Sequence, residues 1–247
     1  MRKGWSRQVL AAVLVNSIYE MKNYPIVLVN TVLSPISFLL VIAFVSKGQL
    51  IGEGIEGGLI MSMFSSGMGL QADLSHLKND FKLQDMIVSS PTTPALYVTG
   101  ITIAELVYSL PALIVLAVLA WIFLPLGPFQ VLELLGALFL MFLTSVALGF
   151  TLATVSSDIV ESFAFSRLLS TLFSTLPPVY YPITYIPLPY RYIAYLSPTT
   201  YAAEIAQSAA GYLSISGSHL ALDWVVLLAV TAALFWISKR KARWREV

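Results

Sequence analysis

The chain has 247 residues, of which 57% are hydrophobic and 11% are charged, and its formal net charge is +1. A soluble domain carries about 25% charged residues, so this composition cannot supply a water-facing surface and excludes a soluble enzyme. No basic patch interleaved with aromatic residues indicates nucleic-acid binding. Cysteine is absent, which excludes disulfides and thiolate metal sites. The composition is that of an integral membrane protein.

The first 24 residues predict an amphipathic helix that lies in the membrane interface. Leu10, Leu14, Ile18 and Met21 recur at helical spacing along one stripe, and polar side chains lie opposite. Such a helix is either a surface anchor or an elbow that moves with the first span, and the sequence leaves both open.

Six apolar runs follow, each compared with the roughly 20 residues that a helix needs to cross a bilayer. The predicted spans cover residues 26–45, 55–72, 97–124, 131–155, 160–176 and 220–237. The whole chain, 1–247, is therefore predicted to be one all-α transmembrane domain. Spans two and four also carry small residues that predict close packing between helices: Ser65, Gly69, Ser145, Gly149 and Ala153.

Lysine and arginine residues set the predicted orientation, because cytoplasmic loops collect them. The N-terminal segment, the loop between spans two and three, the start of span five and the C-terminal tail hold all but two of the fourteen. The exceptions are Lys47 and Arg191. We therefore predict a multi-pass protein of the plasma (inner) membrane with both termini in the cytoplasm.

The cytoplasmic stretch 74–90 predicts a short amphipathic helix between spans two and three. Its apolar face is surrounded by charges of both signs, which suits docking into a protein groove better than lying on lipid. The residues predicted to make this contact are Leu77, Lys78, Asp80, Phe81, Lys82, Leu83 and Asp85.

Residues 177–211, on the predicted external side, are rich in proline and tyrosine. Prolines at this density forbid a continuous helix, and tyrosines favour the membrane–water interface. We predict a broken, re-entrant helical hairpin before the last span.

Few residues can carry chemistry inside the spans. Glu105 and Arg167 are the intramembrane charges, and they can pair across the bundle, snorkel or contact substrate. His76 and His219 are predicted on opposite sides of the membrane, so they cannot share a metal site. No Gly-Lys dipeptide forms a phosphate-binding loop. We predict no catalytic residue, metal or cofactor in this chain, so that ATP hydrolysis requires another polypeptide.

Two stretches carry a resemblance that runs the length of the chain. Residues 81–91 end in Ser90-Pro91 before span three, after a polar stretch and paired apolar residues. The external segment presents Pro177-Pro178 and Tyr181-Pro182, and later prolines lead to Glu204. Together with the six spans, these features resemble the permease subunits of the type-2 ABC exporter family. The chain departs from the family pattern at Phe81-Lys82, where a nearby glycine is common, and at Gln207, where a basic residue is common.

The resemblance implies a dimer of permeases, identical or different, with each copy docked on an ABC-type ATPase that holds ATP and magnesium. Residues 74–90 would be the coupling segment, and the substrate would leave between the two copies, with spans two and five as walls. The small cavity charge favours a drug-like or amphipathic small molecule and hence multidrug efflux. The residues implied in the external gate are Pro177, Pro178, Tyr181, Pro182, Pro187, Arg191, Pro198 and Glu204.

Two other functions compete with export. An ion-gradient-driven secondary transporter needs an ion or proton site in the middle of the membrane, and Glu105 and Arg167 are the only residues that the sequence offers for it. A non-transporting membrane partner, such as an assembly factor or sensor, needs no substrate path. An intramembrane enzyme is excluded, because no nucleophile–base or metal set is present.

Overall fold

A computed structural model describes residues 4–79, 94–156, 158–175 and 177–241, and the regular structure in these ranges is entirely helical. Three short helical segments begin the chain: α1 (Trp5–Val13), a π-helical turn (Leu14–Ile18) and α2 (Tyr19–Asn23). The long helices are α3 (Pro25–Val45), α4 (Ile51–Asn79), α5 (Pro94–Phe123), α6 (Pro128–Val155), α7 (Ile159–Thr175) and α10 (Gly217–Lys241). Between α7 and α10 lie a 3-10 turn (Ile183–Tyr185), α8 (Arg191–Ala194) and α9 (Pro198–Ala209).

Each predicted span coincides with one long helix. In the described ranges, four helices are long and apolar enough to cross a membrane: Pro25–Val45, Leu96–Phe123, Pro128–Val155 and Gly217–Arg240. The other two predicted spans, α4 and α7, do not meet that standard. Helix α7 has only 17 residues. Helix α4 is long enough but not apolar enough, because glycine, serine and charged residues interrupt its apolar side chains. Membrane crossing by these two helices stays a prediction.

Helix α4 lies at the centre of the bundle, in contact with α3, α5, α6, α7 and α9. Because its neighbours cover it, α4 does not need an apolar surface toward lipid. The core around it is built from fully buried side chains of four helices: Ile55, Phe64, Leu116, Met141 and Leu227.

Helices α4 and α6 approach each other closely at small residues, as predicted for Ser145 and Gly149. A Cβ atom on Gly67 would lie 2.7 Å from the backbone nitrogen of Val146, and one on Gly149 would lie 3.0 Å from the Gly67 carbonyl oxygen. Two predicted members of the stripe face elsewhere: Ser65 is exposed, and Gly69 faces Glu105. Glycine at position 67 thus lets the two backbones meet.

The N-terminal helices pack on α5 through a face that the sequence did not predict. Val13 and Ser17 are buried, and a Cβ atom on Gly100 would lie 3.0 Å from the Ala12 Cβ atom. Leu10 and Ile18, from the predicted apolar stripe, are exposed. That stripe is therefore not the protein-facing side, and it remains available to lipid.

The chain is broken between α7 and α10, as the prolines predict. The Ser197 hydroxyl caps α9 by accepting a hydrogen bond from the Thr199 backbone nitrogen at 3.4 Å. The Arg191 guanidinium donates to the Ile186 carbonyl at 2.6 Å and to the Thr184 carbonyl at 2.8 Å. Helix α9 is buried against α4, α6 and α10. Re-entry of this segment into the bilayer stays a prediction.

Candidate functional site

A cavity of about 580 Å³ opens beside α4, on the side away from α6. Helices α3, α4, α5 and α7 line it, together with the polar face of the N-terminal helices. Its walls carry a high proportion of hydroxyl groups, contributed by five serines and threonines of α3 and α7 and further serines of α4 and α5. A cavity of this size matches the volume of sites that hold drug-sized molecules.

Three acidic residues, Glu20, Asp73 and Glu105, lie on the cavity wall. The carboxyl groups of Asp73 and Glu105 lie within hydrogen-bonding distance of each other, so a proton on either group is shared with its neighbour. Gly69 makes room for this pair, since a Cβ atom there would lie 2.7 Å from the Glu105 Cδ atom. No lysine or arginine of the described ranges lines the cavity. The wall therefore presents hydrogen-bond acceptors and negative charge.

An aromatic pair closes the end of the cavity that is predicted to be external. The rings of Phe38 (α3) and Tyr180 are stacked, with centroids 5.6 Å apart and planes 11° apart. Tyr180 follows the buried Pro177-Pro178 pair. The Gln207 amide of α9 donates to the carbonyl oxygens of Pro178 and Tyr181, each at 3.3 Å. The broken segment thus holds Tyr180 against α3.

At the opposite end, side chains of α4 are tied to α7. The Gln71 amide donates to the Ser162 hydroxyl, and the hydroxyl oxygens of Ser75 and Ser162 are 2.7 Å apart. At the next residue of each helix, the rings of His76 (α4) and Phe163 (α7) meet edge to face at a centroid distance of 5.6 Å. A displacement of the C-terminal end of α4 is therefore transmitted directly to α7.

A second polar cluster joins α9 to the start of α10. The Glu204 Oε2 atom is 3.0 Å from the His219 Nε2 atom, which is 3.6 Å from the Asp223 Oδ1 atom. Glu204 and Asp223 are buried, and His219 is half-buried. The Tyr195 hydroxyl donates to the Glu204 Oε1 atom at 2.9 Å. Burial and the adjacent Glu204 carboxylate raise the pKa of Tyr195 above its ordinary value, so this hydroxyl stays a donor.

Residues 8–210 match the family model described as ABC-2 type transporter. The chain belongs to the ABC-2 type transporter family. The matched range contains the cavity, the Phe38–Tyr180 pair and Glu204, and it ends before His219 and Asp223. No curated protein matches the chain. The family assignment confirms the predicted resemblance to type-2 ABC permeases.

The predicted coupling residues of this ABC-2 permease lie at the edge of the described structure. Leu77 and Lys78 belong to the last turn of α4. The remaining members lie outside the described residues: Asp80, Phe81, Lys82, Leu83 and Asp85. Their docking role stays a prediction.

The predicted gate residues of the permease are mostly enclosed. Tyr181 and Arg191 are half-buried, and Pro187 is exposed. The others are buried against the bundle: Pro177, Pro178, Pro182, Pro198 and Glu204. These residues lie in the broken segment and in α9, and Tyr180, from the same segment, is the residue that lines the cavity.

The two intramembrane charges lie in different surroundings. Glu105 faces the cavity beside Asp73, whereas Arg167 is exposed on α7. No ion pair joins them in the described part of the chain. Arg167 lies on the same face of α7 as Ser170 and Ser174, but it is nearer the start of the helix, beyond the residues that line the cavity.

Sequence reasoning missed Asp73, His219 and Asp223. Asp73 falls where the sequence predicts a polar loop, but α4 continues to Asn79. A signal for the other two was present: His219 and Asp223 are four residues apart, which places them on one helix face. The spacing of the two histidines does not show this cluster, because its members are one histidine and two carboxylates.

Proposed function

We propose that this chain is the membrane-spanning permease subunit of an ATP-driven exporter, docked on a separate ATPase subunit through the loop between α4 and α5. The observation that carries the proposal is the polar cavity of about 580 Å³ among α3, α4, α5 and α7 in a chain of the ABC-2 family. The chain would be N-in and C-in in the plasma (inner) membrane, since its cationic residues divide as the positive-inside rule requires.

The transport cycle proposed here starts at the predicted coupling segment, residues 74–90. Closure of the ATPase dimer pushes on this segment and displaces the end of α4. The contacts of Gln71 and Ser75 with Ser162 transmit the displacement to α7, so the two walls of the cavity move together relative to α3. Separation of Phe38 from Tyr180 then opens the external end.

A second permease copy, identical or different, is proposed to complete the pathway. Helices α3 and α7 both border the cavity and both keep large apolar side chains exposed, among them Phe38, Val41, Leu168 and Leu172. The neighbouring copy would cover part of these faces. The exposed Arg167 would then lie near the interface between copies, where a carboxylate or lipid phosphate can pair with it.

The proposed substrate is an amphipathic small molecule with a positive charge. Phe38, Met61, Phe64 and Tyr180 supply apolar and aromatic contact surface within the cavity. The acidic side chains supply the charge that attracts a cation, and aromatic faces add cation–π attraction. This charge pattern sharpens the drug-like substrate expected from the sequence.

One observation favours a second candidate, a proton-coupled secondary transporter. The carboxyl groups of Asp73 and Glu105 lie within hydrogen-bonding distance inside the cavity, and such carboxyl pairs occur in proton relays. The family assignment favours the ATP-driven exporter. A non-transporting membrane partner is the third candidate, and the cavity gives it no support.

The proposal is tested by the substitution Phe81→Asp, with Tyr185→Asp as the matched control. Both variants place a carboxylate on an aromatic position, but Tyr185 is exposed in the external segment. The chain is purified in mild detergent from its native membrane, and co-purifying P-loop ATPase is identified and assayed for ATP hydrolysis.

We expect a stoichiometric ATPase with the unmodified chain and with Tyr185→Asp, and its loss with Phe81→Asp at an unchanged level of inserted permease. Undiminished co-purification with Phe81→Asp would overturn the docking assignment. Absence of any ATPase, together with transport by the chain alone under a proton gradient, would establish the secondary transporter instead.

A further inference from the structure

The cluster of Glu204, His219 and Asp223 holds two buried carboxyl groups and a single histidine that can balance their negative charge. Glu204 is 1% exposed and Asp223 is 0% exposed. Among the described residues, no N–H or O–H group donates to either oxygen of the Asp223 carboxylate, and the neighbour within hydrogen-bonding distance is the Glu204 carboxyl group. Two buried carboxylates are costly unless a cation or a proton lies between them.

His219 alone balances this charge poorly. Its Nε2 atom lies between the two carboxylates, 3.0 Å from Glu204 and 3.6 Å from Asp223. Only one of these distances is a hydrogen bond, because the longer one exceeds the usual limit of about 3.2 Å. The single ring N–H therefore leaves Asp223 unsatisfied.

The spacing of the three side chains fits a metal ion. One ligand atom of each residue lies within 4.8 Å of the other two. Zinc bonds of about 2.0 Å place two ligand atoms of a tetrahedral site about 3.3 Å apart. The distances of 3.0 and 3.6 Å from His219 Nε2 bracket that value. Small side-chain movements are enough to form the site.

We propose that Glu204, His219 and Asp223 form a zinc site at the predicted external ends of α9 and α10, with water as the fourth ligand. Imidazole and carboxylate ligands suit Zn²⁺, whereas Mg²⁺ and Ca²⁺ prefer sites built from oxygen alone. His219 is 37% exposed, so the ion and its water reach the site from the external aqueous phase.

A hydrogen bond that would orient one of the proposed ligands, Glu204, is present in the structure. The Tyr195 hydroxyl donates to the Glu204 oxygen that does not face His219, at 2.9 Å. Outer hydrogen bonds of this kind orient metal-binding carboxylates. The ion would join the broken segment to the last helix and so hold α9 in position. This role is independent of the proposed export, and Asp223 and His219 lie beyond the range matched to the family.

Zinc binding is measured on the full chain, purified without a polyhistidine tag, by competition with a chromogenic zinc chelator. We expect one Zn²⁺ per chain and at least tenfold weaker binding by His219→Ala. His76→Ala is the matched control, because His76 is the other of the two histidines, and it should bind like the unmodified chain. Equal binding by both variants, or binding that Mg²⁺ displaces at equal concentration, would overturn the proposal.

A second measurement does not depend on the folding of a variant. Cobalt titrated into the unmodified chain should give the intense visible absorption of a tetrahedral Co²⁺ complex, and Zn²⁺ should abolish it. Weak absorption typical of six-coordinate Co²⁺, or no saturable signal, would show that His219 is only an ion-pair partner of the carboxylates. Asp223→Asn should remove the zinc-induced rise in melting temperature without lowering the melting temperature of the metal-free protein.

Discussion

The two sides of helix α4 differ sharply in how they meet their neighbours. On one side, Gly67 lies so close to Ser145 and Val146 that even a methyl group does not fit. On the other side, Ser62 and Ser65 line an open polar cavity. Glycine therefore allows backbone contact between α4 and α6, whereas serine lines the cavity without filling it. On the export proposed above, α4, α6 and α10 form the fixed half of the bundle, and the helices around the cavity form the half that rearranges when a substrate binds.

The largest expected effect comes from adding the same bulk to each side of α4. Gly67→Val places three carbon atoms where the α6 backbone already lies, and overpacking costs about 3 kcal/mol of unfolding free energy when the backbone cannot move away. Ser65→Leu adds a similar volume to the cavity wall and should leave stability nearly unchanged. Thermal unfolding in detergent checks both. Equal losses of stability would contradict the division of α4 into a fixed and an open side.

The next effect concerns the charge of the open side. The double substitution Asp73→Asn with Glu105→Gln removes the charge of this carboxyl pair but keeps its size, and we expect tetraphenylphosphonium to bind about tenfold more weakly, a loss of about 1.4 kcal/mol. Glu133→Gln is the control, since Glu133 lies near the start of α6 and does not line the cavity. Equilibrium binding to the purified permease gives both values. Unchanged affinity in the double variant would show that the carboxyl pair does not take part in cation recognition.

A smaller effect is expected in the broken segment above the cavity. Arg191→Ala deletes the donors to the carbonyl groups of Ile186 and Thr184, and a partly exposed charged hydrogen bond contributes about 1 kcal/mol. Amide hydrogen exchange in α8 should accelerate several-fold, with little change in α6. Arg191→Lys should recover part of the protection, because it keeps the charge but not the planar guanidinium whose separate nitrogens reach the two carbonyl groups. Uniform acceleration throughout the chain would indicate global destabilisation instead.

The smallest effect lies within the fixed half. The hydroxyl oxygens of Thr144 (α6) and Thr231 (α10) are 2.6 Å apart. Hydrogen bonds between membrane helices contribute about 0.6 kcal/mol on average, so a double-mutant cycle of Thr144→Val and Thr231→Val should give a coupling free energy of that size. A coupling above about 2 kcal/mol would mean that polar contacts, rather than close backbone packing, hold α6 and α10 together.

The sequence predicted the positions of the helices well because apolar runs and prolines are local signals. Each predicted span overlaps a helix, with ends that differ by a few residues except in α4. That helix extends from Ile51 to Asn79, well beyond the predicted 55–72. The polar stretch that begins at Asp73 marked the C-terminal end of this helix as a loop in the sequence, but the helix continues to Asn79.

The site was harder to predict because it depends on the rotation of each helix. The sequence identified Glu105 as an intramembrane charge, but its partner Asp73 lies 32 positions earlier, and no local pattern joins the two. Gly67, which meets α6, and Gly69, which faces Glu105, are only two residues apart. Periodicity shows that small residues form stripes, whereas packing decides which neighbour each stripe meets.

The most direct test of the proposed export is transport of tetraphenylphosphonium by the permease reconstituted with its co-purified ATPase in proteoliposomes. We expect movement of the cation toward the predicted external side that requires ATP, is absent without the ATPase and falls about tenfold in the double variant Asp73→Asn with Glu105→Gln. Transport that proceeds without ATPase under an imposed proton gradient, and stops when the gradient is collapsed, would contradict ATP-driven export and assign the Asp73–Glu105 pair to a proton pathway.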